Sequence, residues 1–263
     1  MNEEGLVEVR SQGSACVIIL RRERKLNALS TALEGALADA LEQPEVGASG
    51  CVVFTGGERA FSAGADVSEM RDQDPAAILA YYRGTGGVYE RVAELPQPTI
   101  SAIAGYCLGG GLELALATDF RVADRSATFG LPEVGIGIVP SSGGMHRLVR
   151  MLGVARAKEL VLLRDRLGAD EAHSLGLVTE VVAEGAALDR SLEMADRLAG
   201  LPRTAVAVAK QAIDYMPESS REAGLALERL AYGMLAQTPD AREAARAFTE
   251  KRPKRRRGQA GSA

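Results

Sequence analysis

The chain has 263 residues, 46% apolar and 25% charged, with a net charge of −4. That length suits one large domain or a core with a smaller helical region, and the acidic balance argues against general affinity for nucleic-acid phosphates. No apolar run nears the roughly 20 residues of a membrane helix, and Met1-Asn2-Glu3-Glu4 lacks the features of a secretion signal, so a cytoplasmic location is expected.

Leu6 to Arg22 reads as a hairpin: Val7 and Val9 alternate with polar residues, Gln12-Gly13 marks a turn, and Ala15 to Leu20 is an apolar strand. A helix is expected from Thr31 to Gln43, with Thr31 and Glu34 as a capping box and Leu33, Leu37 and Leu41 on one face. Cys51 to Thr55 is a short β-branched strand, and a glycine turn, Phe61-Ser62-Ala63-Gly64-Ala65-Asp66, follows it. Pro75 to Leu95 reads as a helix with a weak middle at Gly84 to Gly87. Thr99 to Ala104 is the next strand, followed by a second turn, Gly109-Gly110-Gly111-Leu112-Glu113, that opens a helix reaching Ala117. Phe120 to Ala123 is again a strand. This alternation predicts an α/β core with helices covering the sheet.

Beyond Ser142 the pattern is helical, with helices expected over 142–152, 155–163, 169–175, 184–198, 204–215, 219–236 and 239–249, and one strand over 177–182. The apolar stripe of the later helices (Leu225, Leu227, Leu230, Tyr232, Met234, Leu235) suits packing on the core or on another subunit. The basic end, Lys251-Arg252-Pro253-Lys254-Arg255-Arg256-Arg257, reads as a mobile tail. Cys16, Cys51 and Cys107 are widely spaced and read as small buried apolar residues, not a disulfide framework. With only His146 and His173, no histidine cluster for a metal can form.

Neither glycine turn contains the Gly-Lys-Ser/Thr of a phosphate-binding loop, the third glycine of a dinucleotide fingerprint is missing, and Gly-x-Ser-x-Gly is absent. What remains is backbone chemistry. Gly110 opens a helix whose first N–H groups are unpaired, and a second N–H near Ala65 would complete an oxyanion hole. Glu113 sits in the first helical turn, which favours its ionised form. Glu133 follows Pro132 among Phe129, Leu131, Val134 and Ile136, surroundings that keep a carboxyl protonated. Such an opposed pair suits acid–base work. Two tight turns with solvated glutamates would be the bland alternative.

Phe61-Ser62-Ala63-Gly64-Ala65-Asp66-Val67-Ser68-Glu69-Met70, Ala104-Gly105-Tyr106-Cys107-Leu108-Gly109-Gly110-Gly111-Leu112-Glu113-Leu114 and Phe129-Gly130-Leu131-Pro132-Glu133-Val134-Gly135 resemble, in order and spacing, the signature segments of the enoyl-CoA hydratase/isomerase (crotonase) family. The resemblance runs from residue 6 to residue 252. It implies a ββα superhelix over 1–200, a helical trimerisation region over 201–252 and a basic tail over 253–263. It also implies an acyl-CoA substrate, a homotrimer or homohexamer, and no metal or other cofactor, with neither membrane nor nucleic acid as a partner.

By position, the oxyanion donors are the N–H groups of Ala65 and Gly110, and the family carboxylates fall on Glu113 and Glu133. Possession of both acids favours hydration of a trans-2-enoyl-CoA over double-bond migration. CoA contacts fall on Arg24, Lys25, Leu26, Ala63 and Asp66, and on Phe248 and Lys251 toward a neighbouring subunit. Tyr81, Tyr82, Met70 and Ile78 are expected near the acyl chain. Pro140-Ser141-Ser142-Gly143-Gly144 departs from the family's commoner Pro-Gly-Ala-Gly-Gly, and Met145-His146 from Thr-Gln. Isomerisation or thioester hydrolysis of an acyl-CoA is the rival reading, and RNA binding through the basic tail a more distant one.

Overall fold

The computed structural model of the chain describes residues 5–69, 74–163 and 166–250, with the backbone alone at 75 and 247–250. Met70, Lys251, the tail over 253–263 and the side chain of Phe248 lie outside the described residues.

The chain divides into two compact units, Met1–Ala207 and Val208–Ala263. It runs through β1 (Val7–Gln12), β2 (Ala15–Leu20), α1 (Thr31–Leu41), α2 (Pro44–Ala48), β3 (Cys51–Thr55), β4 (Ala60–Ser62), α3 (Pro75–Arg83) and α4 (Val88–Ala93). Next come β5 (Thr99–Ile103), β6 (Tyr106–Leu108), α5 (Gly110–Ala117), β7 (Phe120–Asp124), β8 (Thr128–Gly130) and α6 (Gly144–Leu162). The first unit continues with β9 (Leu167–Gly168), α7 (Ala169–Ser174), β10 (Glu180–Val182), α8 (Ala187–Ala199) and the start of α9 (Arg203–Tyr215). The second unit holds α10 (Arg221–Leu235) and α11 (Pro239–Glu250).

Strand–strand–helix is the repeated theme: β3–β4–α3, β5–β6–α5 and β7–β8–α6. The first strand of each repeat joins a six-stranded sheet ordered β1-β2-β3-β5-β7-β10, and the second joins a four-stranded sheet ordered β4-β6-β8-β9. Strands β3, β5 and β7 pair in parallel, as do β4, β6 and β8. Alternation along the large sheet then sorts its side chains. Cys16, Ile18, Val52, Phe54 and Ile103 face a core shared with α1, α5 and the small sheet. Val17, Ile19, Val53, Ile100 and Val122 face α8 through Ala187 and Ala195. Residues buried on both faces are what covered parallel strands require.

The hairpin forms as expected, from Val7↔Leu20 to Gln12↔Ala15. The helix expected over 75–95 is interrupted at its glycines, where a 3₁₀ turn at Thr85–Gly87 separates α3 from α4. The pair expected over 142–163 is a single span, α6, broken at Gly153 (φ 78°, ψ 164°). Two expectations need correction. The cap of α1 is Ser30, whose Oγ accepts from Leu33 N at 3.2 Å, and Glu34 turns inward instead of closing a capping box with Thr31. The strand expected over 177–182 shrinks to β10, because the N–H groups of Leu177 and Val178 return to Ala172 O at the end of α7. Strands β4, β6 and β8 have only three residues each, too few for a period-two pattern.

All three cysteines are buried and none is in a disulfide. Burial pushes the Cys16 thiol up to about 11 and the Cys107 thiol further, which removes nucleophilic character from both. Among the described residues no helix is long and apolar enough to cross a membrane, and no cluster of His, Cys, Asp and Glu could hold a metal.

Candidate active site

The turn after β4 is set by its pairing with the segment before α1. Ala63 N donates to Leu26 O at 2.9 Å, Leu29 N to Gly64 O at 2.8 Å, and Asp66 N to Leu29 O at 2.8 Å. Gly64 N donates to Ser62 Oγ at 3.2 Å. The N–H groups on both sides of Ala65 are thus committed, and none of these bonds uses the Ala65 N–H itself. A positive φ of 100° at Gly64 makes the turn possible.

The facing strand β6 ends at Gly109, where φ is +52° and the N–H donates to Gly130 O at 2.9 Å. Gly110 then opens α5, so its N–H has no acceptor within the helix. A Cβ placed on Gly110 would lie 3.6 Å from Ala65 N. The two expected donors therefore come from adjacent turns of successive repeats, side by side.

Asn27 holds the first turn in place. It is 1% exposed and adopts a left-handed φ of 52°. Its Oδ1 accepts from Arg22 N at 2.8 Å, and its Nδ2 donates to Ala60 O at 3.0 Å and Phe61 O at 3.3 Å. The Asn27 carbonyl accepts from Ser62 Oγ at 2.7 Å. Asn27 is not among the residues singled out from the sequence, although asparagine is a recognisable turn residue. Asn27→Ala is expected to cost about 3 kcal/mol by stranding these buried groups, measured as a fall in the urea midpoint without a change in slope.

Glu113 lies on the first turn of α5 and is 3% exposed. Its Oε1 accepts from Ser142 N at 2.8 Å and Gly144 N at 2.9 Å. Backbone N–H groups make this cradle, so Ser142 contributes to it through its main chain. The ionised preference expected from the helix terminus is outweighed: burial lifts the Glu113 carboxyl above its ordinary range, against the opposing pull of the Gly144, Ser142 and Ser141 N–H groups and the Arg147 charge. Arg147 in turn donates to Ser142 O at 3.1 Å and Glu90 at 2.8 Å, bracing the cradle.

Glu133 stands on a 3₁₀ turn, Pro132–Ile136, after β8. A Cβ on Gly109 would meet its Oε1 at 3.1 Å, so the carboxyl sits against the donor turn. Its Oε2 is buried with no hydrogen-bond partner among the described residues. Burial raises this carboxyl to about 7, and the nearby Glu113 charge adds to the effect. The upward shift expected for this carboxyl is thus present, although Val134 and Ile136 are themselves exposed. The linkage has a definite sign. Protonation of Glu133 favours the folded state, fully below the ordinary 4.5, and that support is lost as pH rises through about 7. Glu133→Gln should therefore melt at a higher temperature than the parent at pH 8 and at the same temperature at pH 4.

The remaining expected residues fall in two groups. Arg24 and Lys25 are exposed on a 3₁₀ turn, and Leu26 and Ala63 are joined by the hydrogen bond above. Asp66 spends its carboxylate within the protein: Oδ2 accepts from Arg22 at 2.7 Å and Oδ1 from Ser68 Oγ at 2.5 Å, and these partners hold it down at about 2. Tyr82 bonds to Ser141, whereas Tyr81 points to Glu34. Sequence reading missed Glu34 and Tyr89. The signal was a carboxylate three and seven residues before Leu37 and Leu41, on the buried face of α1.

Two neighbouring backbone N–H groups beside a buried Glu113 and a half-buried Glu133 would suit an enzyme that polarises a carbonyl and moves protons next to it. The sequence pattern of the family described as Enoyl-CoA hydratase/isomerase matches residues 10–259. The chain is 39% identical to the 2,3-dehydroadipyl-CoA hydratase of Escherichia coli, covering 93% of this chain and 95% of that one. It is 36% identical to the short-chain-enoyl-CoA hydratase of Clostridium acetobutylicum over 94% and 95% of the two chains. Its fold is similar to the crystal structure of an enoyl-CoA hydratase from Bacillus anthracis, with a TM-score of 0.86 and 39% identity, covering 94% and 97%. The chain belongs to the enoyl-CoA hydratase/isomerase family.

Proposed function

We propose that the chain adds water across the C2=C3 bond of a trans-2-enoyl-CoA to give a 3-hydroxyacyl-CoA. The observation that carries this reading is the presence of two carboxyls, the buried Glu113 and the half-buried Glu133, beside one pair of backbone N–H groups. In this mechanism the Ala65 and Gly110 N–H groups bind the thioester oxygen and draw electron density from C3. Glu113 takes a proton from water as its oxygen bonds to C3. The π electrons pass to an enolate held by the two donors. Glu133 gives its proton to C2, the thioester carbonyl reforms, and exchange of one proton from Glu113 to Glu133 through solvent resets the pair. The net change is addition of one water, and no step calls for a metal or redox cofactor.

Arg24, Lys25, Leu26 and Ala63 form the proposed approach for CoA, the basic pair meeting phosphates and the backbone meeting the pantetheine. Asp66 holds Arg22 with its carboxylate and remains a proposed CoA contact through its backbone. Phe248 and Lys251 remain proposed contacts to a neighbour's ligand. A homotrimer or homohexamer accommodates the exposed Leu230, Tyr232 and Met234 of α10. Three buried thiols outside any disulfide accord with a cytoplasmic setting.

A panel of enoyl-CoAs tests the reaction: the conjugated thioester absorbance falls as water adds, and the product is identified by mass. Products of double-bond migration or free CoA without hydration would overturn the reading. A pH profile tests the acid. Because Glu133 must carry its proton, kcat/KM for hydration is expected to fall above about pH 7, close to tenfold for each further unit.

A further inference from the structure

The mechanism leaves the buried acid Glu34 unused. Glu34 is 1% exposed, on a face of α1 otherwise built from leucines. Its Oε1 accepts two hydroxyls, Tyr81 from α3 at 2.7 Å and Tyr89 from α4 at 2.8 Å. Its Oε2 is buried with no hydrogen-bond partner among the described residues. A carboxyl held this way is costly, and a leucine here would extend the apolar face.

The location of the two tyrosines gives the acid a role. A Cβ on Gly110 would meet Tyr89 Oη and Leu29 Cδ1, each at 3.3 Å, with Ala65 N at 3.6 Å. The Tyr89 hydroxyl is therefore packed against Gly110, the residue that carries one proposed oxyanion donor. The Tyr81 ring lies edge-on to Tyr82 with centroids 4.9 Å apart, and Tyr82 bonds to Ser141 in the loop that cradles Glu113. A Cβ at Gly86 would lie 2.7 Å from the Tyr81 ring, so the turn between α3 and α4 is shaped around that ring.

We infer that Glu34 is a positioning residue of the oxyanion hole: as the shared acceptor of Tyr81 and Tyr89, it fixes Tyr89 against Gly110 and so keeps the two N–H donors converged on one oxygen. The inference rests on the hydratase reading of that turn. It requires an acceptor oxygen at this place, which an amide also supplies.

Three single variants, Glu34→Leu, Glu34→Gln and Tyr89→Phe, and the Glu34→Leu/Tyr89→Phe double variant decide the matter. Two readouts are used: kcat and KM with the four-carbon 2-enoyl-CoA, and the infrared C=O stretch of bound butyryl-CoA, a saturated thioester that cannot be hydrated. Glu34→Leu and Tyr89→Phe are expected to lose about tenfold or more in kcat, with KM within about twofold, since small misplacements of reacting groups are costly. Their bound thioester should show a smaller shift of the carbonyl stretch than the parent. Glu34→Gln should keep both the rate and the shift, and the double variant should be no slower than the slower single one.

Parental rate and carbonyl shift in both Glu34→Leu and Tyr89→Phe would overturn the inference. So would a Glu34→Gln as slow as Glu34→Leu, or losses that multiply in the double variant. If Glu34→Leu does not fold, Tyr89→Phe decides alone, because it keeps the ring and removes one bond. A parent enzyme that binds butyryl-CoA with no carbonyl shift would instead overturn the reading of the turn, and this inference with it.

Discussion

Glu133→Gln is expected to lower kcat for hydration by about 10²–10⁴-fold, and Glu113→Gln by a similar factor, the usual range for a positioned proton-transfer group. The two losses have different origins. Glutamine at 133 keeps the shape of a carboxyl pressed against Gly109 but has no acidic proton for C2. Glutamine at 113 can still accept from Ser142 and Gly144 through its amide oxygen, so the cradle survives while the base is lost. Both variants should therefore fold and bind acyl-CoA with KM near the parental value, which separates chemistry from binding. The check is loss of the enoyl thioester absorbance, with thermal melting alongside. If either variant kept more than about a tenth of the parental rate, its proton-transfer role would be untenable.

Gly110→Pro is expected to cost about 10²–10³-fold in kcat beyond any loss in Gly110→Ala, the range seen when one oxyanion donor is removed. Position 110 is the first residue of α5, where proline is conformationally at home. The two replacements share a Cβ that must fit against Leu29 and Tyr89 at 3.3 Å. They differ in the N–H, which alanine retains and proline lacks. The comparison therefore isolates the donor from the crowding. Equal rates in the two variants would remove the Gly110 N–H from the mechanism.

Much of this architecture is written locally. Long apolar strands such as Cys51–Thr55 and Thr99–Ile103 announce themselves by composition, and the breaks at Gly84–Gly87 and Gly153 follow from glycine itself. The small sheet is not written that way. Ala60–Ser62 and Tyr106–Leu108 lie next to the glycine turns, and each is defined by its partner strand instead of by its own pattern. The candidate site shows the same division. Both glutamates and both glycine turns can be singled out as residue types, but their convergence depends on the small sheet setting successive turns beside each other. The cradle of Glu113 and the inward turn of Glu34 are tertiary facts with only faint sequence traces: a glycine-bearing loop in one case, an acid on an apolar face in the other.

The two proposed oxyanion donors are main-chain atoms, while the two proposed proton-transfer groups are side chains. Single-nucleotide changes can therefore reach them very differently. At Ala65 almost any replacement except proline leaves the N–H in place, so carbonyl polarisation is buffered against point mutation. Glu113 and Glu133 have no such protection, since one codon change removes each. A lineage carrying this fold can thus lose or exchange its proton chemistry quickly while the capacity to activate a bound thioester persists, inherited through the backbone path of two glycine turns.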